Sequence, residues 1–466
     1  MNADTRHIEP ALGPEDFAPL SRRDDIQGIR RPSRSYWQDA WSRLRSNRRA
    51  LVSLWIIIAL LVFALLGPLF WQIDPARQDI DQISQAPGAD RSASIVPPYE
   101  AWNGLPQSGF NVGVTGLRLA SAANSQAVRL LWDEAPGASA YRLYRNIFPI
   151  DEALAFGLPI AEFTSAAAGF YEDRLDLRPA TYYYSLVVIN ADGLLSEQYQ
   201  TLEVPVVRVI TVDEVRERNL AAADAVLEVG DEVLLALHPF GTDYLGRDML
   251  ARLMAGAQVS LFIGIVAPLL FVLLGVIYGS TAGFLGGRID QLMMRFADFV
   301  VALPFLLFMI LFQVVFGIGP GESGILPMLV ALVVLAWPAT ARLVRGQILQ
   351  IRQEAYISAS RLLGARSYYL VLRHMIPNTM GVILVTLTFA VPSAIFTEAF
   401  LSFIGMGVAP PTPSWGSMSN EGLATMLTHP HELIFPAVFI SVTVLAFNLL
   451  GDGLRDALDA RMRSYE

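Results

Sequence analysis

Ile351–Asn378, IRQEAYISASRLLGARSYYLVLRHMIPN, is an Arg-bearing polar stretch held between two long apolar runs. Its first part, Glu354–Leu363, has helix-forming composition, and Ala355, Ala359, Leu362 and Leu363 recur at helical spacing to make one modest apolar face. Gly364 interrupts it as a helix stop or a sharp bend does. A second short helical run is expected over Ser367–Met375, and Pro377 marks the entry to the next apolar segment. On residue chemistry alone an ordinary solvated loop between membrane spans is an open reading, and the surroundings decide.

Those surroundings are apolar in long blocks. The chain has 466 residues, 53% of them hydrophobic, with mean hydropathy +0.42, which argues against a soluble enzyme. With no cysteine there is no disulfide framework, thiolate chemistry or Cys-type metal site. The 5 histidines form no metal-ligand spacing such as HExxH. Every basic side chain is Arg, so the chain cannot supply the Lys of a GxxxxGK[ST] phosphate loop, and any nucleotide chemistry belongs to another subunit.

Six spans are expected from the apolar blocks, making a mainly α membrane protein with an inserted all-β domain. The first is 51–71, behind a polar N-terminal tail, 1–50, whose arginines place it in the cytoplasm. No aromatic or fold signature turns those arginines toward nucleic acid. The others are expected at 259–284, 296–316, 325–340, 379–403 and 433–450. Arg342, Arg345, Arg352, Arg361, Arg366 and Arg373 fix the face carrying 346–377 as cytoplasmic, and the tail 457–466 follows the same rule. Gly275, Gly279 and Gly283 recur every four residues and predict close helix packing. Asp298 and Arg295 are spaced to pair on one helix. Glu398 inside a span is a candidate for lining a pathway or gate. Trp415, in a Pro-rich external stretch, is either a residue of the pathway mouth or an interfacial anchor.

Between the first two spans, 72–240 changes character. It is richer in acid and contains strand-forming runs, Val128–Trp132, Tyr141–Tyr144 and Tyr182–Val188, separated by turn signals such as Pro136-Gly137. Over about 111–207 it resembles a fibronectin type III module: Trp132 stands at the core-Trp position, Ala138–Arg145 looks like the third strand, and Thr181–Val187 follows the later pattern. Here Trp132 and the tyrosines read as core packing.

The membrane blocks together resemble the permeases of ATP-binding-cassette importers in the dipeptide/oligopeptide/nickel group. The likeness is carried by GTDYLGRD (241–248), LMAGA (253–257), MRFADFVVALP (294–304), SASRLLGA (358–365), IPN (376–378), LSFIGMG (401–407), PPTPSWG (410–416) and FNLLGDGLRD (447–456). It covers 37–69 loosely and 238–463 closely, and the β insert departs from it. The resemblance implies a permease core over 241–456, with a coupling segment formed by Ser358, Ala359, Ser360, Leu363, Gly364, Ala365 and Pro377. The family's EAA triplet reads Ser358-Ala359-Ser360 here; His374 and Ile376 also depart from the pattern. It further implies a paralogous permease, two ATPase subunits carrying ATP and Mg, an extracytoplasmic solute-binding protein, and a bacterial inner membrane. The chain itself would bind no cofactor or metal and would not be an enzyme. Peptides are the expected cargo, with nickel or another small solute as the alternative. A secondary transporter would show inverted repeats and midplane charges, and neither is apparent.

Overall fold

The computed structural model describes residues 36–105, 116–150, 156–164, 169–222, 224–316 and 323–458. The N-terminal arginines before Tyr36, the first residues of the expected β module and the tail after Leu458 lie outside these ranges. Among the described residues, five helices are long and apolar enough to cross a bilayer, and a sixth crossing is available if one bent helix pair is counted together.

The membrane helices run beyond the apolar windows because capping, not hydropathy, sets their ends. A short helix, α1 (Tyr36–Ser46), precedes α2 (Arg48–Phe70). Asn47 caps α2 by accepting from the amides of Arg49 and Ala50. In the same way Asp248 caps α4 (Met249–Leu285), which stops at Gly286, whose φ of +67° suits glycine. The fourth crossing, α7, spans Ile325–Ile351, and the last, α12, spans His431–Leu458.

The third span is not one rod. It consists of α5 (Gly287–Val301) and α6 (Phe305–Phe316), bent by 83°. The break lies at Ala302–Pro304, where proline lacks an amide proton and disfavours helical backbone at Leu303. Nor does the expected Arg295–Asp298 pair form. Arg342 of α7 reaches Asp298 instead at 2.7 Å, because the α5–α7 packing brings an opposite charge closer than the helix does. The short run at Ser367 is likewise not a separate helix. A turn α9 (Ser367–Tyr369) and a π-helical stretch (Leu370–Met375) lead without a break into α10 (Ile376–Phe403).

Outside the bundle, β structure is nested within β structure. The chain leaves through β1 (Ser92–Val96) and returns through β9 (Val209–Thr211), which lies parallel to it with Ile95 opposite Ile210. A short helix α3 (Val212–Glu217) follows, closed by a capping box between Thr211 and Glu214. Then β10 (Glu232–Leu234) pairs antiparallel on the other side of β1. Ala93, Ile95, Ile210, Val215 and Val233 form the core of this base.

Among the described residues between β1 and β9 sit seven strands: β2 (Arg118–Leu119), β3 (Val128–Trp132), β4 (Ala138–Asn146), β5 (Ala161–Phe163), β6 (Gly169–Asp173), β7 (Thr181–Asn190) and β8 (Leu195–Pro205). They make two sheets, ordered β2-β3-β6 and β5-β4-β7-β8. One core lies between them, drawn from Leu130 and Trp132 on one side and Leu143, Tyr184, Leu186 and Val204 on the other. Below that core, buried Asp173 accepts from Tyr184 Oη at 2.6 Å and Arg145 Nη1 at 2.8 Å.

Candidate functional site

The polar stretch that opened the sequence forms a short helix, α8 (Ala355–Leu362), ended by glycine. Ala365 N donates to Ser360 O at 3.1 Å and Gly364 N to Arg361 O at 3.0 Å, with Gly364 at φ +85°. This double closure satisfies the last carbonyls and requires a left-handed residue at 364. The helix buries one side chain against the bundle: Ile357 is 1% exposed, packed with Ile348 and Met375, while Leu362 and Leu363 are 90% and 89% exposed. Ala355, Ser358 and Ala359 are also exposed. The apolar face expected from the spacing is therefore exposed and is covered by none of the described residues. Pro377 lies just after the π-helical stretch, where the continuous helix passes into α10.

The segment is anchored to the end of α4. Arg352 Nη1 donates to the carbonyls of Gly283 and Phe284 at 3.3 and 3.1 Å, closing that helix's C-terminus. Arg361 lies over the Phe284 ring at 5.4 Å. Asn378 donates to the Tyr356 hydroxyl at 3.0 Å, tying α8 to α10.

From that anchor the glycine row runs along the seam between α4 and α7. A Cβ at Gly275 would meet Trp337 O at 2.8 Å, and one at Gly283 would meet Arg345 O at 3.0 Å. At Gly279 it would run into the backbone of Ala341. The three glycines let α7 lie directly on α4. Beside the seam, Arg345 of α7 grips Asp290 of α5 through two hydrogen bonds of 2.5 and 2.6 Å.

Glu398 and Trp415 lie at the opposite end of α4, and both are fully buried inside this chain. Glu398 accepts from Ser260 Oγ and Ser402 Oγ, each at 2.8 Å. Trp415 begins α11 (Trp415–Ala424); its ring nitrogen donates to Leu253 O at 3.1 Å and its amide to Ser260 Oγ at 3.3 Å. The interfacial-anchor reading of Trp415 is thus corrected: the ring is core, packed against Phe439 with no face toward a lipid boundary.

Next to them is an ion cluster that reading the sequence missed. Arg247 and Arg252 both reach Glu421 Oε2, at 2.6 and 2.7 Å, and both also hold Asp243. Arg252 and Asp243 are almost wholly buried. The four-residue spacing of Asp243 and Arg247 was the one signal available for it, since Glu421 lies far off in the chain. GTDYLGRD thereby becomes a knot. Asp248 caps α4, accepts from Trp71 Nε1 at 3.0 Å and meets His238 Nδ1 at 2.6 Å, while Asp79 N donates to Gly246 O.

Comparison with known proteins agrees with this architecture. Residues 272–464 match the family of binding-protein-dependent transport system inner membrane components, and 35–87 match the N-terminal TM domain of oligopeptide transport permease C. The oligopeptide transport system permease protein OppC of Bacillus subtilis is 50% identical over 48% of this chain and 72% of its own length. The dipeptide transport system permease protein DppC of the same organism is 51% identical over 48% of this chain and 69% of its own length. The glutathione transport system permease protein GsiD of Escherichia coli is 44% identical over 48% of this chain and 73% of its own length. A multi-pass membrane chain with this helix order and these relatives belongs to the family of inner-membrane components of binding-protein-dependent transport systems.

Proposed function

We propose that this chain is one of two paralogous permeases in a peptide importer, driven by two ATPase subunits that bind ATP and Mg, and supplied by a solute-binding protein outside the membrane. The observation that carries the reading is α8: a short helix with a stop at Gly364, burying Ile357 and leaving Ala355, Ala359, Leu362 and Leu363 exposed and uncovered by any described residue. Exposed apolar side chains on a polar, Arg-bearing loop suit a protein groove better than water. Movement there passes to α4 through Arg352 and Arg361, and along α4 by the glycine seam. The chain contributes a two-state packing change; hydrolysis is carried out on the ATPases. The peptide cargo rests on the relatives, whose names specify oligopeptide, dipeptide and glutathione transport.

Both termini and the α8 segment are cytoplasmic in this reading, and the nested β structure is outside, as the distribution of arginine supports. The strand orders β2-β3-β6 and β5-β4-β7-β8, with Trp132 in the shared core, support a fibronectin type III-like sandwich. Its proposed role is to contact the binding protein.

Ala359→Glu and Gly364→Val test the coupling segment in the reconstituted transporter. Both sites are exposed, so membrane insertion is expected to be unchanged. Transport should fall by about tenfold or more while ATP hydrolysis persists, the signature of uncoupling. If ATPase assembly and peptide uptake survive both substitutions, this assignment of α8 is wrong.

A further inference from the structure

A cavity of about 470 Å³ opens beside the ion cluster, between the end of α6, the turn after α10 and α11. Its size is that of a small-ligand site. Of the polar side chains lining it, Gln313, Asn420 and Glu421 share one chemical bias, while the hydroxyls of Ser402 and Ser417 donate to Glu398 and to Ser414 O. Gln313 spends its amide nitrogen on Met406 O at 2.5 Å, and Asn420 spends its own on Phe403 O. Each amide oxygen is left with no donor among the described residues. Glu421 also lines the cavity, and both arginines that hold it converge on Oε2, so that no hydrogen bond to Oε1 is made among the described residues. Neither arginine lines the cavity. The lining therefore includes one carboxylate and two side-chain amides; Arg247 and Arg252 hold the carboxylate, but among the described residues no cationic side chain lines the space itself.

Acceptors without donors suit a ligand that brings several N–H groups and a positive charge. An anion would face Glu421 directly. Among the described residues no cluster of three His, Cys, Asp or Glu side chains provides for a metal ion. We propose that this cavity binds a primary ammonium group, the α-amino end of a peptide in transit. The site rests on the peptide-permease reading for its source of ammonium, but not for its chemistry.

The test uses the assembled transporter in nanodiscs without the binding protein, so that delivery does not set selectivity. Radiolabelled trialanine is the probe, competed by unlabelled trialanine, N-acetyl-trialanine and N-acetyl-lysine amide. Wild type should bind trialanine and lose it to the free peptide, but not to N-acetyl-trialanine. Competition by N-acetyl-lysine amide would extend the site to side-chain ammonium; its failure would restrict it to the α-amino end. Glu421→Gln should weaken binding by about tenfold or more, the scale of one charge-assisted hydrogen bond. That change also loosens the arginine clamp, so Val314→Trp provides a second arm. Val314 lines the cavity but is 72% exposed, and a ring there narrows the space with little core to disturb. Equal competition by free and acetylated peptide, no binding by wild type, or binding untouched by both substitutions would overturn the proposal. Ammonium-selective binding in an assembly that imports no peptide would instead overturn the peptide reading and leave the site standing.

Discussion

Glu398 and Tyr184 are buried polar groups with defined partners, and removal of either has a calculable direction. Glu398→Ala strands the Ser260 and Ser402 hydroxyls and opens a void, so a loss of about 2–4 kcal/mol is expected; Glu398→Gln keeps the shape and should lose less. A denaturation midpoint of the purified chain distinguishes the two. Burial, and then the neighbouring Asp173, push the Tyr184 phenol far above its ordinary range, so it stays a donor. Tyr184→Phe should cost about 1–3 kcal/mol, read from the same midpoint. His429, in the turn between α11 and α12, is depressed below the usual histidine value, first by burial and then by His431 and Arg178 against the pull of Glu432. The unfolded chain therefore binds a proton there more readily than the folded one, so stability is full above about pH 6.5 and is lost as pH falls toward the depressed value. Thermal melts between pH 7.5 and 5 should show that loss, diminished in His429→Gln. None of these partnerships was legible in the sequence, because Ser260 and Glu398, or Asp173 and Arg145, meet only after the chain has folded back. What the sequence did show was that a carboxylate within a span needs a reason.

At the scale of elements, the α4–α7 seam is where small changes matter most. Gly279→Leu drives a side chain into the Ala341 backbone and should separate the helices, lowering the melting temperature sharply and reducing folded protein in the membrane. Gly283→Ala meets neighbours at 3.0 Å and should be felt far less. The four-residue repeat made this seam readable, because periodicity is a local property. Pro304 was an equally local sign of the bend between α5 and α6, but it sits within an apolar run, and hydropathy reports the run without its direction. The stop at Gly364 could be read from composition; which side of α8 is buried could not. Four apolar residues marked one face, yet Ile357, on another, makes the attachment, because neighbouring helices rather than the helix's own spacing choose the face.

In the whole molecule, the nested β structure joins the base at adjoining points: Ser125 N donates to Val207 O at 2.9 Å, and Val209 N donates to Ser125 Oγ at 3.0 Å. Each unit has a core of its own. Excising 106–207 with a short flexible bridge is expected to leave β1, β9 and β10 paired and the bundle folded, measured by size-exclusion profile and melting temperature. Loss of binding-protein docking with the fold retained would support the contact role proposed above; unchanged docking and uptake would remove it. The strand-rich interior was legible from Trp132 and the tyrosines. The base was not, because β1 and β9 pair across the whole insertion, and two short strands far apart leave no local periodicity. The same arrangement has a practical consequence for imaging. Bare membrane helices offer few features for aligning projections. A folded mass outside the bundle, tied to the base at Ser125 and Val209, gives single-particle microscopy a fiducial that the protein already carries.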